Sequence, residues 1–305
     1  MTTLKAPQPR SAPRPLAPAG VDGVHYTVTG DAGQTRTVVL LHGFSDNLTT
    51  WNRLVPALAT SHRVIAIDLP GFGASTRRWT DPLLDGYVDV VAEVLDAEGL
   101  AGAENAVSFI GNSMGAAVSA LFAARFPERT ERVVLTDMPG LSAVPKLWRL
   151  AMSRPAELGL RTALRVVPER GAVLGLGWFY AHIAAGDPRR LDPEVRRGFI
   201  DPFGERGRMP GLLPIGRVLV RELGSARLGG LIGDSSIPTL IVFGSRDMLT
   251  PARAVKRLGH SNTAVVLPGC GHCPQIDQPD ALLSEVLPFL RRPLAAVRDA
   301  EVDAA

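Results

Sequence analysis

The 305-residue chain is 46% hydrophobic and 21% charged, the balance of a globular protein with a sizeable core, and this excludes wholesale disorder. Its 33 basic and 30 acidic residues leave a formal charge of +3, too even to mark a nucleic-acid partner. Two cysteines, Cys270 and Cys273, are too few for a disulfide framework.

Residues 1–20 carry Pro7, Pro9, Pro13, Pro15 and Pro18 among small and polar residues, which predicts a mobile Pro-rich arm and not a secretory signal. The uncharged stretch from Ala106 to Ala124 approaches membrane-span length. It holds Gly111, Asn112, Ser113 and Gly115 near its middle, which suits a strand, a turn and a helix better than a lipid-facing helix. No membrane span and a cytoplasmic location are therefore expected.

Short apolar runs bounded by turn residues read as buried strands. In chain order they are Val24 to Thr29, Thr37 to Leu41, Arg63 to Ile67, Val107 to Ile110, Arg132 to Thr136, Pro238 to Phe243 and Ala264 to Leu267. Helical patterns fall between them at Trp51 to Ala59, Pro82 to Glu98, Met114 to Arg125, Pro251 to Leu258 and Pro279 to Leu290. This alternation predicts an α/β fold, with a mostly parallel central sheet and helices on both faces. It breaks once. Residues 139–236 show no strand pattern but helix-like runs at Lys146 to Ser153, Ala156 to Val167 and Arg217 to Leu223, separated by prolines and glycines. The expected organisation is a core of residues 21–138 and 237–292, a helical cap insertion over 139–236, and a frayed tail over 293–305.

Gly111-Asn112-Ser113-Met114-Gly115 carries the strongest chemical signal. It matches G-x-S-x-G, a sharp strand-to-helix turn that projects a serine hydroxyl into a cleft, and here it follows an apolar strand and precedes an apolar helix. A serine hydroxyl is a weak nucleophile near neutral pH and needs an adjacent base. His272 follows the last expected strand, and Asp247 lies on the loop after the strand before it. The order Ser113, Asp247, His272 differs from the chymotrypsin and subtilisin orders. Asp137, after the Arg132 to Thr136 strand, is the alternative acid. Asp68 is read as a brace for the loop around His42, and His42 as a structural hydrogen-bonding residue.

Taken together, these motifs make the chain resemble the α/β-hydrolase superfamily from about Val24 to Leu290. The matching segments are His42-Gly43-Phe44, Asp68-Leu69-Pro70-Gly71-Phe72-Gly73-Ala74-Ser75, the serine elbow, the loop from Gly244 to Pro251 and Gly271-His272. The resemblance implies a catalytic triad of Ser113, His272 and Asp247, and an oxyanion hole from the backbone N–H groups of Phe44 and Met114. It also implies a serine hydrolase that acts on a small molecule, without metal or organic cofactor. The Gly-Asn-Ser-Met-Gly elbow is similar to that of carbon–carbon bond hydrolases of ring-cleavage products. Two features depart from that group: Phe44-Ser45-Asp46-Asn47 replaces its glycine-rich loop, and Cys273 follows His272 where tryptophan is common.

The preferred reading is hydrolysis of a carboxylic ester of a fairly hydrophobic small molecule through an acyl-enzyme. The alternatives are carbon–carbon bond hydrolysis and, from another class, a non-catalytic ligand-binding protein on the same fold. Cys270-Gly271-His272-Cys273 has redox C-x-x-C spacing, but its surroundings match the histidine loop. Trp148, Trp178, Phe179 and Tyr180 are read as insertion packing, with some of them facing the pocket.

Overall fold

The computed structural model describes residues 15–16, 18–31, 33–141, 144–163, 165–167, 169–187, 189, 208–225, 228–233, 235–253 and 263–292. Eight strands form one sheet: β1 (Pro15–Leu16), β2 (Tyr26–Thr29), β3 (Thr37–Leu41), β4 (Arg63–Ile67), β5 (Val107–Asn112), β6 (Thr130–Thr136), β7 (Thr239–Gly244) and β8 (Thr263–Leu267). Their spatial order is β1-β2-β4-β3-β5-β6-β7-β8. The two pairings that involve β2 are antiparallel and the other five are parallel.

Every residue of β3, β5 and β7 is buried, which is why these strands read as continuous apolar runs and not as alternating ones. Successive side chains still point to opposite faces. Val39, Leu41, Ile65, Ile67 and Phe109 join the core on one face, and Val38, Leu40, Val64, Ala66 and Ile110 join the other. The first face is covered by α2 (Leu83–Ala97) and α3 (Met114–Arg125). The second is covered by a 3-10 turn (Leu48–Trp51), α1 (Val55–Leu58) and the C-terminal helix α10 (Pro279–Arg291).

Between β6 and β7 the chain runs through α4 (Lys146–Ala151), α5 (Arg154–Ala163), α6 (Glu169–Ala184), α7 (Arg208–Ser225) and α8 (Leu228–Gly233). Glu157 of α5 ties the insertion together through Arg161 and Arg217. Glu222 of α7 anchors it to the core by accepting the Leu83 and Leu84 N–H groups at 2.7 and 2.9 Å. These two donors open α2, where a carboxylate also meets the helix dipole.

Several expectations shift in detail. The helix expected over Trp51 to Ala59 splits, because Asn47 caps an earlier 3-10 turn through the Thr49 N–H and Pro56 starts α1 afresh. Helix α6 absorbs Gly171, Gly175 and Gly177, which read as separators in the sequence, and α7 extends well upstream of Arg217. A short helix, α9 (Pro274–Asp277), follows the histidine loop. The end of the expected arm pairs with β2, Pro15 with Thr29 and Leu16 with Val28; an edge strand tolerates a proline, which has no N–H to donate. Most of the helix expected at Pro251 to Leu258, and the tail over 293–305, lie outside the described residues.

Candidate active site

The site collects at the C-terminal ends of the parallel strands, where open α/β sheets leave a crevice. Ser113 stands between β5 and α3 with φ 52° and ψ −116°, a left-handed conformation uncommon for a residue with a Cβ. The flanking glycines are there for space. A Cβ on Gly111 would lie 2.4 Å from the Gly115 carbonyl oxygen, and one on Gly115 would lie 2.1 Å from the Leu41 carbonyl oxygen. Helix α3 can therefore dock directly on β3 and β5.

His272 is buried, and its Nδ1 lies 2.9 Å from Asp247 Oδ2. Asp247 folds its own loop into a turn: Oδ1 accepts the N–H groups of Leu249 and Thr250 at 2.7 and 3.0 Å. The Thr250 hydroxyl closes on Asp247 Oδ2. Burial by itself pushes the Asp247 carboxyl up, but the His272 charge and the hydrogen bonds from His272 and Thr250 outweigh it and leave the group below its ordinary value.

Ser113 and His272 line one cavity, together with Phe44, Trp148, Leu219 and Leu223. Among the described residues no Asp, Glu, Lys or Arg side chain lines it. Ser113 Oγ makes no hydrogen bond among the described residues, so its hydroxyl is directed at the cavity. Among those residues the N–H groups of Phe44 and Met114 also find no acceptor. The loop bearing Phe44 presses on the elbow: a Cβ on Gly43 would lie 3.3 Å from Ser113 Cβ.

Asp137 is fully buried, and its Oδ1 accepts the Gly244 N–H at 2.9 Å. One donor atom each from Asp137, Asp247 and His272 falls within 4.8 Å of the others. The structure thus brings the alternative acid to the same place as the preferred one, but it is Asp247 that meets the imidazole. His42 is held neutral by burial; its Nδ1 lies 2.8 Å from the Gly43 carbonyl, and its Nε2 accepts the Leu69 N–H at 3.0 Å. Asp68 braces the neighbouring backbone, accepting from Leu48 and Ala74, and it pairs with His25, not with His42.

Three positioning groups escaped the sequence reading. Asn112 Nδ2 donates to the His272 carbonyl at 3.0 Å. Asp277 Oδ2 accepts from Gly186 and Gly271, and the His272 N–H donates to the Ala184 carbonyl, so the end of α6 is stitched to the histidine loop. Thr250 joins Asp247 and the Asp137 carbonyl. Asn112 sits inside the elbow motif and Thr250 is three residues from Asp247, and both spacings were readable signals. Asp277 carried none.

Cys270 and Cys273 are both buried and form no disulfide, and burial pushes the Cys270 thiol far up, which works against a reactive thiolate. Trp148 packs edge-on to Phe44 at the cavity, whereas Trp178 is 59% exposed and stacks on His182. The side chains of Phe179 and Tyr180 lie outside the described residues. Among the described residues no helix is long and apolar enough to cross a membrane.

With this geometry in place, comparison with known proteins defines the class. The family model for the alpha/beta hydrolase fold matches residues 36–279, and the chain belongs to that family. It is 30% identical over 270 residues to a 2-hydroxy-6-oxo-2,4-heptadienoate hydrolase of Pseudomonas putida, covering 85% of this chain and 91% of that protein. It is 29% identical over 279 residues to a pimeloyl-[acyl-carrier protein] methyl ester esterase of Pectobacterium atrosepticum, covering 87% and 97%. Among solved structures, wild-type Cfl2 from Burkholderia cenocepacia superposes with a TM-score of 0.72 at 25% identity, over 93% of this chain and 98% of that one. Other curated relatives are longer, and the chain spans only 66% and 65% of the length of two of them. The fold and these relatives place the chain in the alpha/beta hydrolase fold family.

Proposed function

We propose that the protein is a serine hydrolase that cleaves carboxylic esters of uncharged, fairly hydrophobic small molecules. The observation that carries this reading is the buried His272–Asp247 pair facing the same apolar cavity as Ser113. His272 Nε2 takes the proton from Ser113 Oγ as the oxygen attacks the acyl carbon. The carbonyl oxygen becomes an oxyanion, received by the Phe44 and Met114 N–H groups. Each such donor is typically worth about 10²–10³ in turnover. The start of α3 adds the favourable end of a helix dipole.

Collapse of the tetrahedral intermediate expels the alcohol, which takes the proton from His272. Water then attacks the acyl-enzyme, with His272 accepting its proton and returning it to Ser113 Oγ as the acid leaves. The insertion over residues 139–236 serves as a cap, supplying Trp148, Leu219 and Leu223 to the wall of the acyl site. Ester cleavage fits the methyl ester esterase relative and the Phe44-Ser45-Asp46-Asn47 loop.

Labelling with a fluorophosphonate probe tests the reading. The native chain labels and turns over short-chain aryl esters, and Ser113→Ala abolishes both. Absence of labelling in the native chain would favour a binding protein. The Gly-Asn-Ser-Met-Gly elbow and the heptadienoate hydrolase relative favour a second reading, carbon–carbon bond hydrolysis. Turnover of a vinylogous diketone well above that of aryl esters would select it.

A further inference from the structure

Asp137 has no part in the mechanism above, yet it is built into the site on every side. Its backbone N–H donates to the Val242 carbonyl at 2.8 Å, and its own carbonyl accepts from Thr250 Oγ1 at 3.0 Å. Its Oδ1 accepts the Gly244 N–H. Its Oδ2 is buried and meets no donor among the described residues. Asp247 lies beside it with both oxygens committed, Oδ1 to two backbone N–H groups and Oδ2 to His272 and Thr250. Two ionised carboxylates side by side and sealed from water repel strongly, and one proton between them removes the conflict.

We propose that Asp137 is a positioning residue that works as a neutral carboxylic acid, its Oδ2–H donating to the Asp247 carboxylate and holding that group against His272. The inference rests on the Ser113–His272–Asp247 reading for its consequence in catalysis, though not for the proton itself. Asp247 then receives a donor from Asp137 beside those from His272, Thr250 and the loop N–H groups, which fixes its orientation further. The unmatched Asp137 Oδ2 becomes a donor with an acceptor.

The surroundings agree. Burial, reinforced by the negative charge of Asp247, pushes Asp137 well above the ordinary carboxylate range. The other groups acting on it are Asp277 of α9 and the Cys270 thiol on the histidine loop, and neither supplies a positive charge. His272 gives its Nδ1 to Asp247. Asp137 also sits at φ 47°, in the left-handed region that Asp and Asn tolerate better than other residues with a Cβ. Asparagine at 137 can keep the backbone, the acceptor for Gly244 and a donor for Asp247.

The test compares Asp137→Ala and Asp137→Asn with the native chain, measuring kcat and KM on p-nitrophenyl esters from about pH 5 to pH 9. Asp137→Ala lowers kcat by about tenfold or more at little changed KM, because the group it positions acts in the transition state. Asp137→Asn restores most of that loss and leaves the acidic limb of the kcat/KM profile in place. Loss of activity in Asp137→Asn, or an acidic limb moved by about one pH unit, would mean that Asp137 is ionised and would overturn the inference. Native activity in Asp137→Ala would overturn it as well, as would a stoichiometric metal ion at the three side chains in elemental analysis of the native protein. Infrared difference spectroscopy reads the proton without any substrate. A protonated-carboxyl band at neutral pH that is present in the native chain, kept in Asp46→Asn and lost in Asp137→Asn is expected whether or not esters are turned over. Its absence from the native chain refutes the inference by itself.

Discussion

Replacing Asp247 by asparagine changes one atom, and the surrounding hydrogen bonds dictate where that atom goes. Oδ1 is held by two backbone donors, the Leu249 and Thr250 N–H groups, so it must remain an acceptor. The amide NH₂ of Asp247→Asn is therefore forced onto the Oδ2 position, where it points a donor at His272 Nδ1, 2.9 Å away. Nδ1 must then accept, the ring proton moves to Nε2, and the imidazole can no longer take the proton from Ser113. The same tautomer fault costs about 10⁴ in kcat in the chymotrypsin-type triad, equivalent to about 5.4 kcal/mol of barrier. A comparable fall in ester kcat is expected here, with KM changed little and a similarly slowed fluorophosphonate labelling rate. The fold should hold, because the buried pair loses a charge without losing shape. Turnover of Asp247→Asn within about tenfold of the native rate, in a folded protein, would refute the assignment of Asp247 as the acid.

Two further outcomes follow from buried groups near the site. Burial pushes the Asp46 carboxyl up to about 7, against hydrogen bonds from Asn47 and Thr50 that favour its charged form. The native state then keeps a proton that the unfolded chain releases near pH 4, so stability falls as pH rises from about 4 to about 7, by at most about 4 kcal/mol. Asp46→Asn should flatten that fall in melting curves recorded across the window; equal slopes for the variant and the native chain would contradict it. At Gly216, which lines the cavity, an added Cβ would lie 2.4 Å from Met152 Sδ and 2.9 Å from Phe44 Cζ. Gly216→Val should raise KM for a bulky acyl ester about tenfold while sparing an acetate ester, and an unchanged preference would remove Gly216 from the acyl site.

The α/β character was legible in the chain through buried runs such as Thr37 to Leu41 and Arg63 to Ile67 that no amphipathic helix would show. The elbow was legible as well, because glycine at 111 and 115 answers to contacts within the strand–turn–helix unit and its immediate neighbours. The order of Ser113, Asp247 and His272 could be read because each follows a strand, and the ends of parallel strands converge.

How the two acids divide depends on packing between distant segments. Asp137 and Asp247 both follow strands, and the choice of partner for His272 depends on which oxygen lies 2.9 Å from Nδ1. The choice is set by β6, β7 and β8 lying side by side, and β6 pairs with β7 across about 100 residues of sequence, for which no local pattern carries the information. The same holds for Asp277, whose grip on Gly186 and Gly271 exists only once the insertion has returned to the histidine loop. The helices of the insertion were least legible, because they pack by exclusion of water over the cavity and their glycines and prolines resemble breaks. Periodicity and turn chemistry act over a few residues, whereas the meeting of two buried carboxyls and one imidazole is a property of the assembled sheet alone.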